Sequence, residues 1–137
     1  MPARARALIE SALAGSPYLE RALELLDEAA RGGSDESCAV WTEHAGAVRG
    51  VALVGMVAGA LGAGRIHLLI GDDPQLVMRA CDVLRAMGAR FAMAEWPDDG
   101  PFAAALALLR ASGFAQEARI ADYYRAGVDQ FILRHDL

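Results

Sequence analysis

Apolar residues fall at helical spacing twice near the start of the chain, as Ala7, Leu8 and Leu13 over residues 4–14 and as Leu19, Leu23, Leu25 and Leu26 over residues 18–30. This predicts two helices, parted at Ser16-Pro17, where a hydroxyl can cap the second helix and a proline can open it. Arg31-Gly-Gly-Ser-Asp-Glu then ends that helix and leads into strands. Alternation over residues 38–44, a turn at Ala45-Gly46 and a long β-branched apolar run over residues 50–61 predict a hairpin. Gly62-Ala-Gly64 turns the chain again, and residues 65–71, apolar on both faces, predict a strand in the middle of a sheet.

Asp73 followed by Pro74 predicts a helix start, with the carboxylate capping and proline at the first helical position, and the helix should run to Met87 before Gly88. Residues 90–96 return as a strand, which should lie parallel to the previous one through a right-handed crossover. After the loop from Pro97 to Pro101, residues 102–112 predict a helix ended by Gly113. Residues 116–124 and 130–135 predict a closing pair of strands around Ala126-Gly127. The expected fold class is α/β (α+β): a helix pair, an antiparallel meander, a parallel strand-helix-strand unit, then a helix and two strands. The 137 residues suit one domain over 1–137.

Composition narrows the partners. Net charge is −5, the sequence pI is near 5.1 and the chain has no Lys, which disfavours a nucleic-acid partner. The longest apolar run, from Val51 to Gly64, falls short of the roughly 20 residues of a membrane-spanning helix, so no membrane span is expected. Glu10 interrupts the short apolar stretch near the start, which argues against a cleaved signal peptide. Cys38 and Cys81 lack the close spacing of a zinc site or a disulfide framework, so no metal is expected and a reducing cytoplasm fits best.

Leu108-Leu109-Arg110-Ala111-Ser112-Gly113-Phe114 and Arg119-Ile-Ala-Asp-Tyr-Tyr-Arg-Ala-Gly-Val-Asp129 resemble the helix ending in Gly-Phe and the Asp-Tyr-Tyr ending of the GNAT superfamily of acyl-CoA-dependent N-acetyltransferases. Upstream, Gly46 to Leu53 resembles a hairpin of that family, and Leu68 to Pro74 resembles the end of its fourth strand; the family's first strand has no counterpart. The resemblance implies acetyl-CoA as cofactor, held by the backbone of Leu69, Ile70 and Gly71 and by the amides of Gln75 and Leu76. It implies a primary amine of a small molecule or peptide as acceptor. The family's glycine-rich diphosphate loop is shortened here, because Gly71-Asp72-Asp73-Pro74 passes almost directly into helix and sets two carboxylates where the diphosphate would lie.

The resemblance also sets the catalytic candidates. Many members carry a proton-donating Tyr on the helix before Gly-Phe, and the matching residue here is Leu109. Tyr124 or Tyr123 is then the candidate to protonate a departing thiolate, although a Tyr pair in a strand equally suits one packed and one exposed ring. Glu95, at a strand end facing the expected cleft, is the first candidate for general base, with Glu43 and His44 as competitors. Trp96 and Trp41 suit a pocket wall or the core, and His67, within an apolar strand, suits a buried imidazole with a hydrogen-bond partner. The alternative is a non-catalytic GNAT-fold module that has lost CoA binding, possible as a homodimer through the apolar run over residues 50–61, with an unpaired sheet edge where the first strand is lacking.

Overall fold

Ala5, Ile9 and Leu13 recur every four residues along helix α1 (Pro2–Leu13), and all three are buried. The computed structural model describes residues 2–32 and 37–137, so the turn expected over 33–36 lies outside the described residues. The buried row differs from the one expected, since Ala7 is exposed and Leu8 half-buried; side chains four apart stack on one face, and the row through Ile9 carries the larger side chain inward. Helix α2 (Leu19–Arg31) starts later than the Ser16-Pro17 signal suggests. The Ser16 amide donates to the Leu13 carbonyl at 3.0 Å, which ties Ser16 to the end of α1. Its hydroxyl accepts from the Tyr18 amide at 3.3 Å, so Tyr18 takes the position ahead of the helix.

Strands β1 (Cys38–His44) and β2 (Ala47–Met56) form the expected hairpin, but β2 ends five residues before Leu61. The Val57 amide donates to the Ala63 carbonyl at 2.9 Å, and Gly59 and Gly62, with φ of 78° and 82°, close a turn that β-branched composition alone does not betray. Leu61 is 92% exposed at its tip. Strand β3 (Ala63–Ile70), helix α3 (Pro74–Ala86) and strand β4 (Phe91–Pro97) make the parallel unit. Asp73 caps α3 as expected, its carboxylate accepting from the Gln75 amide at 2.9 Å. A single 3-10 turn over Gly100–Phe102 precedes helix α4 (Ala103–Ala111), and strands β5 (Ala115–Arg125) and β6 (Val128–Asp136) close the chain.

The sheet runs β1-β2-β3-β4-β6-β5, parallel between β3 and β4 and antiparallel elsewhere. This is the mixed α/β arrangement expected from the element order. Helices α3 and α4 share a face: Leu84 of α3 lies where a Cβ on Gly64 would stand, 3.0 Å away, and Arg110 of α4 lies 5.0 Å over the Phe131 ring, which pairs in register with Trp96. Val51 to Val54 are fully buried in succession, so β2 is covered on both faces, by α1 and by α3. The homodimer surface expected along residues 50–61 is therefore corrected: that run is core, and it offers a second chain only the turn around Leu61. No described helix is long and apolar enough to cross a membrane.

Strand β5 is an edge strand, and every one of its residues is exposed. A bulge between Ile120 and Arg125 bends it, with Asp122 in the left-handed region at φ 54°. Asp129 of β6, itself buried, holds that bulge by accepting from the Asp122 amide at 2.9 Å and from Arg119 Nε. The amide bond first, and then the Arg119 guanidinium, hold the Asp129 carboxyl below the usual carboxylate range. A carboxyl whose folded pKa is depressed contributes stability that is complete above its unfolded pKa, near 4, and is lost as pH falls through the folded value. Asp129→Asn is accordingly expected to be less stable than wild type at neutral pH and to approach it as pH falls through the depressed folded pKa in urea titrations. A stability gap that stays constant with pH would count against this role.

Candidate active site

Strands β3 and β4 run side by side only over Ala63–Arg65 and Phe91–Met93. Beyond that point β3 stays with β2 as far as Ile70 and β4 stays with β6 as far as Pro97, so the two strands part in the middle of the sheet. The parting begins at a bulge, where the partners of Leu53 and Val54 jump from Leu68 to Ile66 and leave His67 as the extra residue, which bends β3. His67 is thus half-buried and lines the pocket described below, where a buried imidazole within an apolar strand was expected. Trp96 spans the gap. Its indole N–H donates to the Ile66 carbonyl at 2.9 Å, and its ring, 2% exposed, packs 5.8 Å from that of Phe102.

Between α2 and the parted strands lies a pocket of about 250 Å³. It is lined by Tyr18 and Leu25 from the helix pair, by Trp96 and Phe102, and by Glu95 and Tyr124 from the strands. Glu95 Oε1 accepts from Arg65 at 3.1 Å; both side chains are about one-third exposed, so the pair orients the carboxylate more than it stabilises the fold. The Tyr124 hydroxyl donates to the Glu95 main-chain carbonyl at 3.2 Å and accepts from Gln130 Nε2 at 3.2 Å. Burial pushes the Tyr124 phenol above its usual range, against the opposing Gln130 bond.

Among the residues picked out from sequence, Glu95 and Tyr124 share this pocket, joined by that hydrogen bond. Tyr123 stands outside it, 55% exposed, with its ring edge-on to Tyr124 at 5.0 Å. Glu43 and His44 line a separate open cavity with Thr42, Arg49, Asp72 and Asp73. Trp41 lines a shallow groove between the helix pair and β1.

Sequence reasoning missed a three-residue junction at the pocket mouth. The Tyr18 hydroxyl donates to Asp99 Oδ2 at 2.7 Å, Arg125 donates to the same oxygen at 2.8 Å, and Arg125 also donates to the Tyr18 hydroxyl at 3.2 Å. The Tyr18 bond, then Arg125, hold the Asp99 carboxyl below the carboxylate range, while burial and then Asp99 push the Tyr18 phenol up. Asp99 alone left a signal in the chain: it caps the 3-10 turn, accepting from the Gly100 amide at 2.9 Å. Nothing local brings it to residues from the helix pair and the last hairpin.

At the end of β3, Leu69 is buried and Ile70 half-buried. Gly71, at φ 135°, passes so close to β2 that a Cβ there would meet Gly50 Cα at 3.0 Å. The amides that follow are engaged: Gln75 donates to the Asp73 carboxylate at 2.9 Å and Leu76 to the Asp73 carbonyl at 3.0 Å. Leu76 is itself fully buried. The β4-facing edge of β3 beyond Arg65, in contrast, has no strand partner among the described residues.

No protein-family model matches the chain, and no curated protein matches it in sequence. Solved structures do match it in fold. A protein of the GNAT acetyltransferase family from Desulfovibrio desulfuricans superimposes with a TM-score of 0.80 at 23% identity, over 98% of this chain and 91% of that one. The chain has the GNAT fold. The ribosomal-protein-alanine N-acetyltransferase of Brucella melitensis shares it at a TM-score of 0.73 and 17% identity, over 100% of this chain and 96% of that one. So does a protein from Salmonella typhimurium solved with its cofactor acetyl-CoA, at 0.72 and 16%, over 100% and 90%.

Within this GNAT fold, the parted edge of β3 suits the extended arm of an acyl-CoA, since its backbone groups are not consumed by β4. The diphosphate end fits poorly. Asp73 already satisfies the two amides that an anion would need, Pro74 has none, and Asp72 adds a second negative charge. Leu109, at the position of the family's tyrosine, is fully buried in the core.

Proposed function

We propose that the protein is a GNAT-type acyltransferase that moves an acetyl group from acetyl-CoA to a primary amine of a small molecule or peptide. One observation carries this: β3 and β4 part beside a pocket that both Glu95 and Tyr124 line. The Salmonella typhimurium protein, solved with acetyl-CoA, supports the choice of donor. The backbone of Leu69, Ile70 and Gly71, with the Gln75 and Leu76 amides once Asp73 releases them, would hold that donor, which would supply an acyl thioester. Glu95 takes a proton from the ammonium, directly or through one water, so that the nitrogen lone pair can form the new C–N bond. Tyr124 Oη holds the proton needed by the thiolate released when the C–S bond breaks. Tyr124 suits this better than Tyr123, because Tyr124 lines the pocket and its hydroxyl reaches the Glu95 carbonyl. Two free cysteines, Cys38 and Cys81, suit a reducing cytoplasm.

Calorimetry with acetyl-CoA, followed by assay of acetyl transfer to a panel of primary amines, tests the proposal. Asp73→Ala sharpens it. The variant loses a helix cap, a cost of about 0.5–2 kcal/mol, yet it frees the Gln75 amide and removes a charge from the helix start. Its affinity for acetyl-CoA is expected to rise by about two- to five-fold, the equivalent of the 0.3–1 kcal/mol that one charge is worth at a helix N-terminus. The engagement of both amides by Asp73 favours a second reading, a binding module of the same fold without CoA. Absence of heat with acetyl-CoA in wild type and Asp73→Ala alike would select that module.

A further inference from the structure

We infer that the pocket between α2 and the parted strands selects a small monoamine with an apolar or aromatic body, against hydroxyl-rich and polycationic amines. The acyltransferase proposal bears on what becomes of the amine, and the selection itself follows from the wall. The volume of about 250 Å³ lies just under the common range of ligand pockets, roughly 300–1,000 Å³, so it suits a single ring or a short chain. Four aromatic side chains line it in edge contact: Tyr18 meets Phe102 at 5.1 Å and Tyr124 at 6.2 Å, and Trp96 meets Phe102 at 5.8 Å. Aromatic faces attract a cation within about 6 Å, and Glu95 is the carboxylate of the lining. One ammonium thus finds rings and the Glu95 carboxylate, which it would share with Arg65.

The polar atoms of these rings are already spoken for. The Tyr124 hydroxyl serves the Glu95 carbonyl and Gln130, the Tyr18 hydroxyl serves Asp99 and Arg125, and the Trp96 indole serves Ile66. Sugar hydroxyls entering here would shed water and find few partners in return. A second cationic group would meet Arg21, which lines the pocket and is bridged to Glu24 at 3.1 Å and Glu28 at 3.6 Å.

Titration calorimetry without acetyl-CoA tests this, using phenethylamine, the neutral 2-phenylethanol and glucosamine as probes. Phenethylamine is expected to bind at least about ten-fold more tightly than either of the others. In Glu95→Gln its advantage over 2-phenylethanol should vanish while both still bind, since Glu95 is partly exposed and its loss does not open the core. Glucosamine binding as tightly as phenethylamine, equal binding of the alcohol, or no binding of phenethylamine at about 10 mM would each overturn the inference. Acetyl transfer to glucosamine without preference would sink it and leave the acyltransferase proposal standing. Selective phenethylamine binding with no transfer to any amine would do the reverse.

Discussion

Replacing Trp96 with alanine is expected to destabilise the protein by about 3–5 kcal/mol, the range found when a large buried aromatic side chain is removed. Two losses combine. The ring is almost wholly buried against Phe102, and its indole is the hydrogen-bond partner of the Ile66 carbonyl at the point where β3 has already left β4. Trp96→Phe separates them, because it keeps most of the ring and drops the bond; an unsatisfied buried carbonyl costs about 1–3 kcal/mol. Urea denaturation of both variants, with tryptophan emission now from Trp41 alone, gives the two values. If Trp96→Phe matched wild type, the indole bond would have no part in holding the gap, and the parting would rest on the His67 bulge and the outer strand pairs.

The second large effect is on turnover. Under the proposed reaction, Tyr124→Phe is expected to lower kcat by about 10²- to 10⁴-fold, the usual contribution of a positioned proton donor. Its stability should fall by only about 0.5–1.5 kcal/mol per hydrogen bond lost, and both bonds at the hydroxyl are long, at 3.2 Å. A required acid is lost as pH rises through its pKa, and burial holds this phenol above its usual value near 10, so kcat of wild type should show no alkaline fall up to about that pH. Glu95→Gln, which removes the proposed base, should also lower kcat by about 10²- to 10⁴-fold, whereas Tyr123→Phe, outside the pocket, should leave kcat within about two-fold. A Tyr124→Phe variant as active as wild type would end the assignment of the donor.

Much of the architecture is legible because it is local. Asp73-Pro74 reads as a cap and a first helical residue, and the structure shows that bond; Gly88 and Gly113 end their helices at φ near 98° and 99°. Errors cluster where local signals compete. The apolar stretch after Met56 reads as strand, yet two left-handed glycines make it a turn, and Ser16 reads as the cap of α2 although its amide belongs to α1. The candidate site was legible in part: Glu95 and Tyr124 carry suitable chemistry on predicted strands. That Tyr124 lines the pocket with Glu95 while Tyr123 does not depends on register, since neighbouring residues on a strand point to opposite faces, and Glu43 and His44 sit at a separate cavity because β1 lies at the other edge of the sheet.

The sequence by itself determined the order and type of the elements, the helix cap at Asp73, and the pair of carboxylates, Asp72 and Asp73, at the start of that helix. These depend on residues within a turn or two of one another, where propensity and hydrogen-bonding reach are short-ranged. The tertiary structure alone decided which strands neighbour which, where β3 and β4 part, and that Tyr18, Asp99 and Arg125 meet at one oxygen across separations of 81 and 26 residues. Such contacts arise only when the whole sheet is assembled, because the side chains involved gain their partners from burial against distant elements and carry no trace of them in their own neighbourhood.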